Sequence, residues 1–342
     1  MTPNLPVYTN STNHSSKALF VSLPQTSTIN FLTFPATLLL FLLFSWSGPS
    51  LVSWHAHLIY TTFQYRLSYL ILFNFVILTI IYSFSHFFTS SKAYDFLIII
   101  YNFLFWVLLL FLSNNFFTLI FLIEVISSLI LLLVITSTYS STFYYNLKNF
   151  TNHNYFSNST PETFLRAIIF FFWTSLLASI SLFLFLTLYY MKIVSFEWFL
   201  TESIFSYIVT LAEFKTLLTI SCSWLIIIFS LFLKCGLPPF YFWKPTFFKG
   251  ITLHALFFYV FFYYFFLILF ILTLFLFYLT DLFYYNLILF QGLLLVTLLI
   301  SFFIVFESYY IKSFLAVSSI LNTTLIFLGL SGLQITDCTL LL

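Results

Sequence analysis

The chain has 342 residues, of which 62% are hydrophobic and only 6% are charged. So few charges cannot clothe a soluble domain of this length, and a net charge of +2 offers little to a nucleic acid. The three cysteines (Cys222, Cys235, Cys338) are scattered with no CxxC pair, which argues against a disulfide framework or a metal cluster, and the six histidines form no regular pair on facing helices for a b-type haem.

Apolar blocks of about twenty residues, the length that crosses a bilayer core of roughly 30 Å, predict an all-α, polytopic transmembrane protein. Barrel strands would alternate apolar and polar residues, and these blocks do not. The 53 phenylalanines and 23 tyrosines, against 6 glycines, point to A/T-rich codons and an organelle genome.

Residues 1–28 read as a polar N-terminal tail, Ser/Thr/Asn-rich, with no Arg-rich presequence and no charged segment ahead of an apolar core. A single transmembrane domain is expected over 29–335, with spans near 29–48, 66–88, 93–113, 116–138, 166–190, 217–243, 251–280, 285–306 and 313–332. Residues 336–342 make a short C-terminal tail. The polar stretch 140–165 is the longest expected loop, and 191–216, with Lys192, Glu197, Glu202, Glu213 and Lys215, reads as an interfacial segment leading into a helix. Lys92, Asp95, Lys148, Lys192, Lys244, Lys249 and Asp281 stand at expected span ends, where a charge is easily solvated.

Three ionisable residues fall inside or beside spans. Glu124 lies in mid-span with Ser127 and Ser128 on its helix face. Arg166 opens the next span four residues after Glu162, an arrangement that equally suits a surface i,i+4 pair. Lys234 ends a long apolar run just before Pro238 and Pro239, which break the helix at about 217–243 and free carbonyls one turn back. A charge at the bilayer centre costs about 2.5–3.5 kcal/mol on insertion scales, so such groups persist when paired or hydrated, and they then often carry protons. Irregular backbone at membrane depth survives only where it is buried or lines a cavity, and broken helices recur at transporter ion sites. Purely structural readings remain open: a hydrogen bond to a neighbouring helix for Glu124, snorkelling for Lys234.

The string Lys234-Cys-Gly-Leu-Pro-Pro-Phe-Tyr-Phe-Trp-Lys-Pro245, with Gly250 following, resembles the Lys-Leu-Gly-x-x-Pro-Phe-His-Phe-Trp-x-Pro…Gly signature of the antiporter-like subunits of respiratory complex I, most of all the subunit 2 branch of mitochondrial NADH:ubiquinone oxidoreductase. Asn115–Leu129, with Glu124, is similar to the fifth-helix segment, Glu162-Thr-Phe-Leu-Arg166 to the opening of the sixth, and Ile311–Leu330 to the tenth, so the likeness covers roughly 66–330. The resemblance implies an antiporter-like fold and a membrane-arm subunit of a proton-translocating NADH:ubiquinone reductase in the mitochondrial inner membrane. Glu124 would be the pathway glutamate, paired with Arg166, and Lys234 the broken-helix lysine. Neighbouring antiporter-like and other membrane-arm subunits would be partners, and a phospholipid such as cardiolipin would sit at the surface. No cofactor is expected: the cysteine count and the lack of Gly-rich loops argue against an iron–sulfur cluster, flavin or nucleotide.

The chain departs from the family pattern in several places. Arg166 and Tyr241 stand where lysine and histidine are expected. Tyr264 stands at the register of the eighth-helix lysine; a tyrosine stores protons poorly but can join a water wire. His254 is an alternative there. Lys312 is expected to cap a helix end at the interface. The chain also stops soon after the tenth-helix match. Either a separate polypeptide supplies the helices beyond it, or this copy is a structural spacer; the first is favoured because Glu124 and Lys234 would otherwise be costly relics. A subunit of a stand-alone cation/proton antiporter is the remaining alternative.

Overall fold

The computed structural model describes residues 51–53, 57–60, 62–84, 93–148, 161–193, 195–210, 214–237, 239–306 and 310–341. The expected tail 1–28 and first span 29–48 lie outside them. Long runs rich in Leu, Ile and Phe, with few glycines or prolines, wind into helices. In chain order these are α1 (Thr62–Phe84), α2 (Ala93–Leu112), α3 (Phe116–Lys148), α4 (Pro161–Ile193), α5 (Trp198–Thr210) and α6 (Phe214–Cys235). Then come α7 (Trp243–Gly250), α8 (Leu253–Phe258), α9 (Phe265–Thr273), α10 (Thr280–Tyr285), α11 (Leu287–Phe306) and α12 (Ile311–Leu341). Among the described residues, six stretches are long and apolar enough to cross a membrane: Phe116–Ser137, Glu162–Ile193, Leu217–Cys235, Ala255–Leu276, Leu287–Phe306 and Ile311–Gly332. Shorter apolar helical stretches run over Arg66–Ile77 and Ile98–Leu112.

Four features differ from the sequence reading. Of the expected loop 140–165, residues 140–148 continue α3 and 161–165 open α4; 149–160 lie outside the described residues. Polar residues need not stop a helix when hydroxyls bond back one turn, as Thr136 Oγ1 does to the Leu133 carbonyl (3.0 Å) and Ser137 Oγ to the Val134 carbonyl (2.8 Å). The expected tail 336–342 belongs to α12 as far as Leu341. A small antiparallel hairpin pairs β1 (Leu51–Ser53) with β2 (Leu58–Tyr60), opposing Val52 to Ile59; three-residue strands are too short to show an alternation. Lastly, the expected span 251–280 is a composite. Leu253–Phe258 and Phe265–Thr273 are α-helical, while Tyr259–Tyr264 and Leu274–Tyr278 widen into π turns.

The chain crossings at one end are tied by backbone. The Asn114 amide donates to the His57 carbonyl (2.9 Å), the Phe116 amide to the Phe196 carbonyl (3.1 Å), and the Trp198 amide to the Asn114 carbonyl (3.2 Å). The Asn115 side-chain amide meets His57 Nδ1 at 2.7 Å. These contacts fix where α3 starts and where the short α5 leaves α4. Glu202 on α5 then receives Thr280 Oγ1 and the Asp281 amide (3.2 Å), satisfying free donors at the start of α10.

Helix α6 stops in a glycine-dependent cap. Gly236 has φ +64°, the left-handed region. The Leu237 amide donates to the Phe232 carbonyl (3.0 Å) and the Gly236 amide to the Leu233 carbonyl (3.3 Å), the two bonds of a Schellman motif. After the turn, α7 packs on α4 and α12. Gly250 permits that approach: a Cβ there would lie 2.5 Å from Ala167 Cβ and 2.6 Å from the Thr163 carbonyl oxygen. Aromatic rings fill the interior, with Phe103 on Phe258 (5.1 Å) and Phe171 stacked on Phe247 (4.7 Å). By contrast α4 presents Phe172, Trp173, Leu177, Ile180 and Phe183 outward, and α11 presents Phe302, Phe303 and Phe306. Apolar surface of that extent on long helices suits a lipid or subunit environment.

Candidate functional site

Lys234 lies in the last turn of α6 and its residue is 4% exposed. Its Nζ donates to Glu124 Oε1 at 2.8 Å and to Ser175 Oγ at 3.1 Å. Three helices therefore converge on one ammonium: α6 carries the lysine, α3 the carboxylate and α4 the hydroxyl. Glu124 is the only carboxylate in an ion pair among the described residues, and its side chain is 31% exposed. It lies well inside Phe116–Ser137. Ser127 bonds the backbone carbonyl of Glu124 (2.8 Å) and Ser128 that of Val125 (2.7 Å), so both hydroxyls serve the helix backbone.

The expected pairing of Glu124 with Arg166 is not what the structure shows. Arg166 sits exposed in the second turn of α4 and makes no ion pair among the described residues, with Glu162 or any other. The reason is reach. Helix α4 meets Lys234 at Ser175, and nine residues of helix separate that from Arg166, about 13 Å of rise.

Tyr264 is buried at the end of the first π turn. Its hydroxyl donates to Thr323 Oγ1 on α12 at 3.1 Å and approaches the Ser319 carbonyl at 3.5 Å. Tyr241 is half-buried and stacks on Phe242 (4.4 Å). Lys312 donates to the Ile251 carbonyl (2.7 Å), just past the end of α7, which is a helix-end contact of the expected kind. The side chain of His254 and the whole of Pro238 lie outside the described residues.

The sequence reading placed Lys244 at a span end, within reach of solvent. In the structure it is 0% exposed. It enters through α7, where Lys244, Phe247 and Phe248, with Ile251 just past the helix end, share the buried face at i, i+3, i+4 and i+7. That spacing was available as a signal. Lys244 Nζ lies 3.5 Å from the centroid of the Tyr264 ring. The two buried lysines are linked across the break: Trp243 Nε1 donates to the Leu233 carbonyl at 3.0 Å, joining the residue before Lys244 to the residue before Lys234.

Charged groups on three helices, next to a helix break, can hold and release protons; among the described residues no group of three or more His, Cys, Asp or Glu gathers. No family model matches the chain, and no curated protein matches it. Solved structures do. A chain of the membrane-bound sulfane sulfur reductase, an archaeal respiratory membrane complex, superposes with a TM-score of 0.63 at 14% identity, covering 93% of this chain and 63% of that one. A chain of respiratory complex I from Thermus thermophilus with bound aureothin superposes with a TM-score of 0.59 at 14% identity, covering 92% of this chain and 62% of that one. This chain thus spans less than two thirds of either neighbour's length. The likeness shows the fold: an all-α, multi-pass, antiporter-like membrane architecture.

Proposed function

We propose that this chain is a membrane-arm subunit of a proton-translocating NADH:ubiquinone oxidoreductase, of the subunit 2 branch, in the mitochondrial inner membrane. It carries part of a proton path and no redox centre, and it works beside other membrane-arm subunits and bilayer lipid. The observation that carries this reading is the Lys234–Glu124 pair, 2.8 Å long and set where α6 breaks. Three things support it: the fold shared with chains of two respiratory assemblies, the sequence signature around the break, and the cost of keeping charge at that depth without use.

The chemistry required is modest. Closed, the pair holds an ammonium against a carboxylate. Passing the lysine's proton to the carboxylate gives two neutral groups, and opening the pair then leaves neither stranded as a charge. Whatever shifts the break at Gly236 changes the distance between them, so conformational energy from a distant redox reaction can drive the exchange. Moving one charge against 100 mV requires about 2.3 kcal/mol.

The test is Lys234→Met in the assembled enzyme. NADH oxidation coupled to proton uptake should fall at least tenfold while the assembly stays intact on a native gel. Coupling at the wild-type level would defeat the pumping reading and leave a structural spacer. Purification of the chain in an assembly that does not oxidise NADH would point to a stand-alone cation/proton antiporter.

A further inference from the structure

Lys244 is the anomaly of this molecule. Its side chain is wholly buried, its Nζ finds no hydrogen-bond acceptor, and no carboxylate lies within ion-pair distance of it among the described residues. The one face offered to the ammonium is the Tyr264 ring. Elsewhere in the described interior the buried amine has partners: Lys234 has a carboxylate and a hydroxyl. A permanent charge with a ring as its sole support is a poor structural device, because the desolvation cost recurs in every folded molecule. A group that holds a proton only briefly avoids that cost for most of the time.

The surroundings fit a relay. The Lys244 side chain lies directly against the break: a Cβ on Gly236 would sit 3.1 Å from both its Cβ and its Cδ. The Trp243–Leu233 hydrogen bond ties the side chain beside Lys244 to the backbone beside Lys234. On the far side, Tyr264 leads to Thr323 on α12, whose hydroxyl in turn donates to the Ile320 carbonyl (2.8 Å). The titratable groups that face the amine are Cys235 on α6 and Tyr264, which offers its ring; Tyr259 packs on both Tyr263 and Tyr264 along the π turn, and α12 meets the Tyr264 hydroxyl with the hydroxyl of Thr323 and the backbone carbonyl of Ser319.

We infer that Lys244 is a second proton-carrying residue of this chain, receiving protons from the Lys234–Glu124 pair and passing them along Tyr264 toward Thr323 and α12. The step moves protons alone. A proton leaves the Lys234 ammonium, directly or through water, and the Lys244 amine takes it up. Lys244 then returns to the amine as its proton passes through water to the Tyr264 hydroxyl, which gives its own proton to Thr323 Oγ1; Thr323 turns from the Ile320 carbonyl and releases its hydroxyl proton to water on the α12 side. No electron moves, and only N–H and O–H bonds form and break. The inference rests on the proton-path reading above.

The experiment compares Lys234→Met, Lys244→Met and Lys244→Arg in the intact enzyme reconstituted in proteoliposomes, with assembly checked on native gels and proton uptake measured per NADH oxidised. Methionine has nearly the length of lysine and strands no charge, so it suits the seat. The expected result is a loss of at least tenfold for all three. Arginine keeps the charge and the ring contact but cannot give up its proton. An assembled Lys244→Arg enzyme with wild-type uptake would show that the cation is structural and overturn the inference, as would wild-type uptake by Lys244→Met. If Lys244→Met does not assemble, Lys244→Gln, neutral and of similar length, takes its place: an assembled Lys244→Gln enzyme with at least a tenfold loss of uptake supports the inference, and one with wild-type uptake overturns it. The two readings separate cleanly: inactive Lys234→Met with normal Lys244→Met removes this inference alone, whereas normal Lys234→Met removes the proton path itself.

Discussion

Replacing Glu124 by Gln, Lys234 by Met, and both together forms a double-mutant cycle on the central pair. Removing one member of a buried ion pair costs about 3–5 kcal/mol, because the survivor is left charged or must be neutralised. The structure places both single changes near the low end of that range. Lys234 keeps the Ser175 hydroxyl at 3.1 Å when Glu124 loses its charge, and a glutamine oxygen still accepts from the ammonium. Glu124, with 31% of its side chain exposed, is only partly desolvated when Lys234 is removed. We expect about 3 kcal/mol for each single change. The double variant has no buried charge at this point and should cost no more than either single one, which gives a coupling energy of about 3 kcal/mol. Unfolding in mixed detergent micelles, followed by tryptophan fluorescence, measures all four proteins. Single effects that add to within about 0.5 kcal/mol would mean that the pair contributes no mutual energy, and the site description would be wrong.

Two further outcomes are expected. Gly250→Ala should destabilise the protein by about 2–3 kcal/mol, since the new Cβ meets Ala167 Cβ at 2.5 Å and backbone oxygen at 2.6 Å; an unchanged midpoint in the same micelle assay would refute the close packing of α7 on α4. Asp281 lies outside the crossing helices, and partial burial, followed by the nearby Glu202 carboxylate, holds its carboxyl above the usual range. A raised value in the folded state means that stability is full below the ordinary carboxylate value and is lost as pH rises through the folded one, so wild type should lose stability relative to Asp281→Asn over that interval, and a pH-independent difference in thermal midpoint would refute it.

Much of the site could be read along the chain because it depends on local cost. A glutamate inside Phe116–Ser137 and a lysine ahead of two prolines violate the apolar pattern, and each violation marks itself. What joins them is a matter of helix packing. Arg166 and Ser175 share α4, and only the crossing of α4 over α6 decides that the serine, and not the arginine, faces Lys234. Lys244 was missed for a related reason. Distance along the chain past a helix break suggests the membrane surface, but α7 folds back against α4 and α12 and carries its lysine inward. The hairpin, the helical stretch 140–148 and the π turns were hidden because short strands, back-bonding hydroxyls and a helix one residue too wide leave no periodic signature.

The π turn over Tyr259–Tyr264 also bears on how this segment is counted. A π turn takes up one residue more than the α-helix it replaces, so every side chain beyond it points where its predecessor would have pointed, a lag of about 100°. In an uninterrupted helix, the direction counted for position 264 would be the one that Phe265 takes here, and Phe265 is exposed. Tyr264 turns its ring under Lys244 because of that surplus residue. Side-chain directions beyond this stretch are therefore out of phase with a count that assumes an unbroken α-helix.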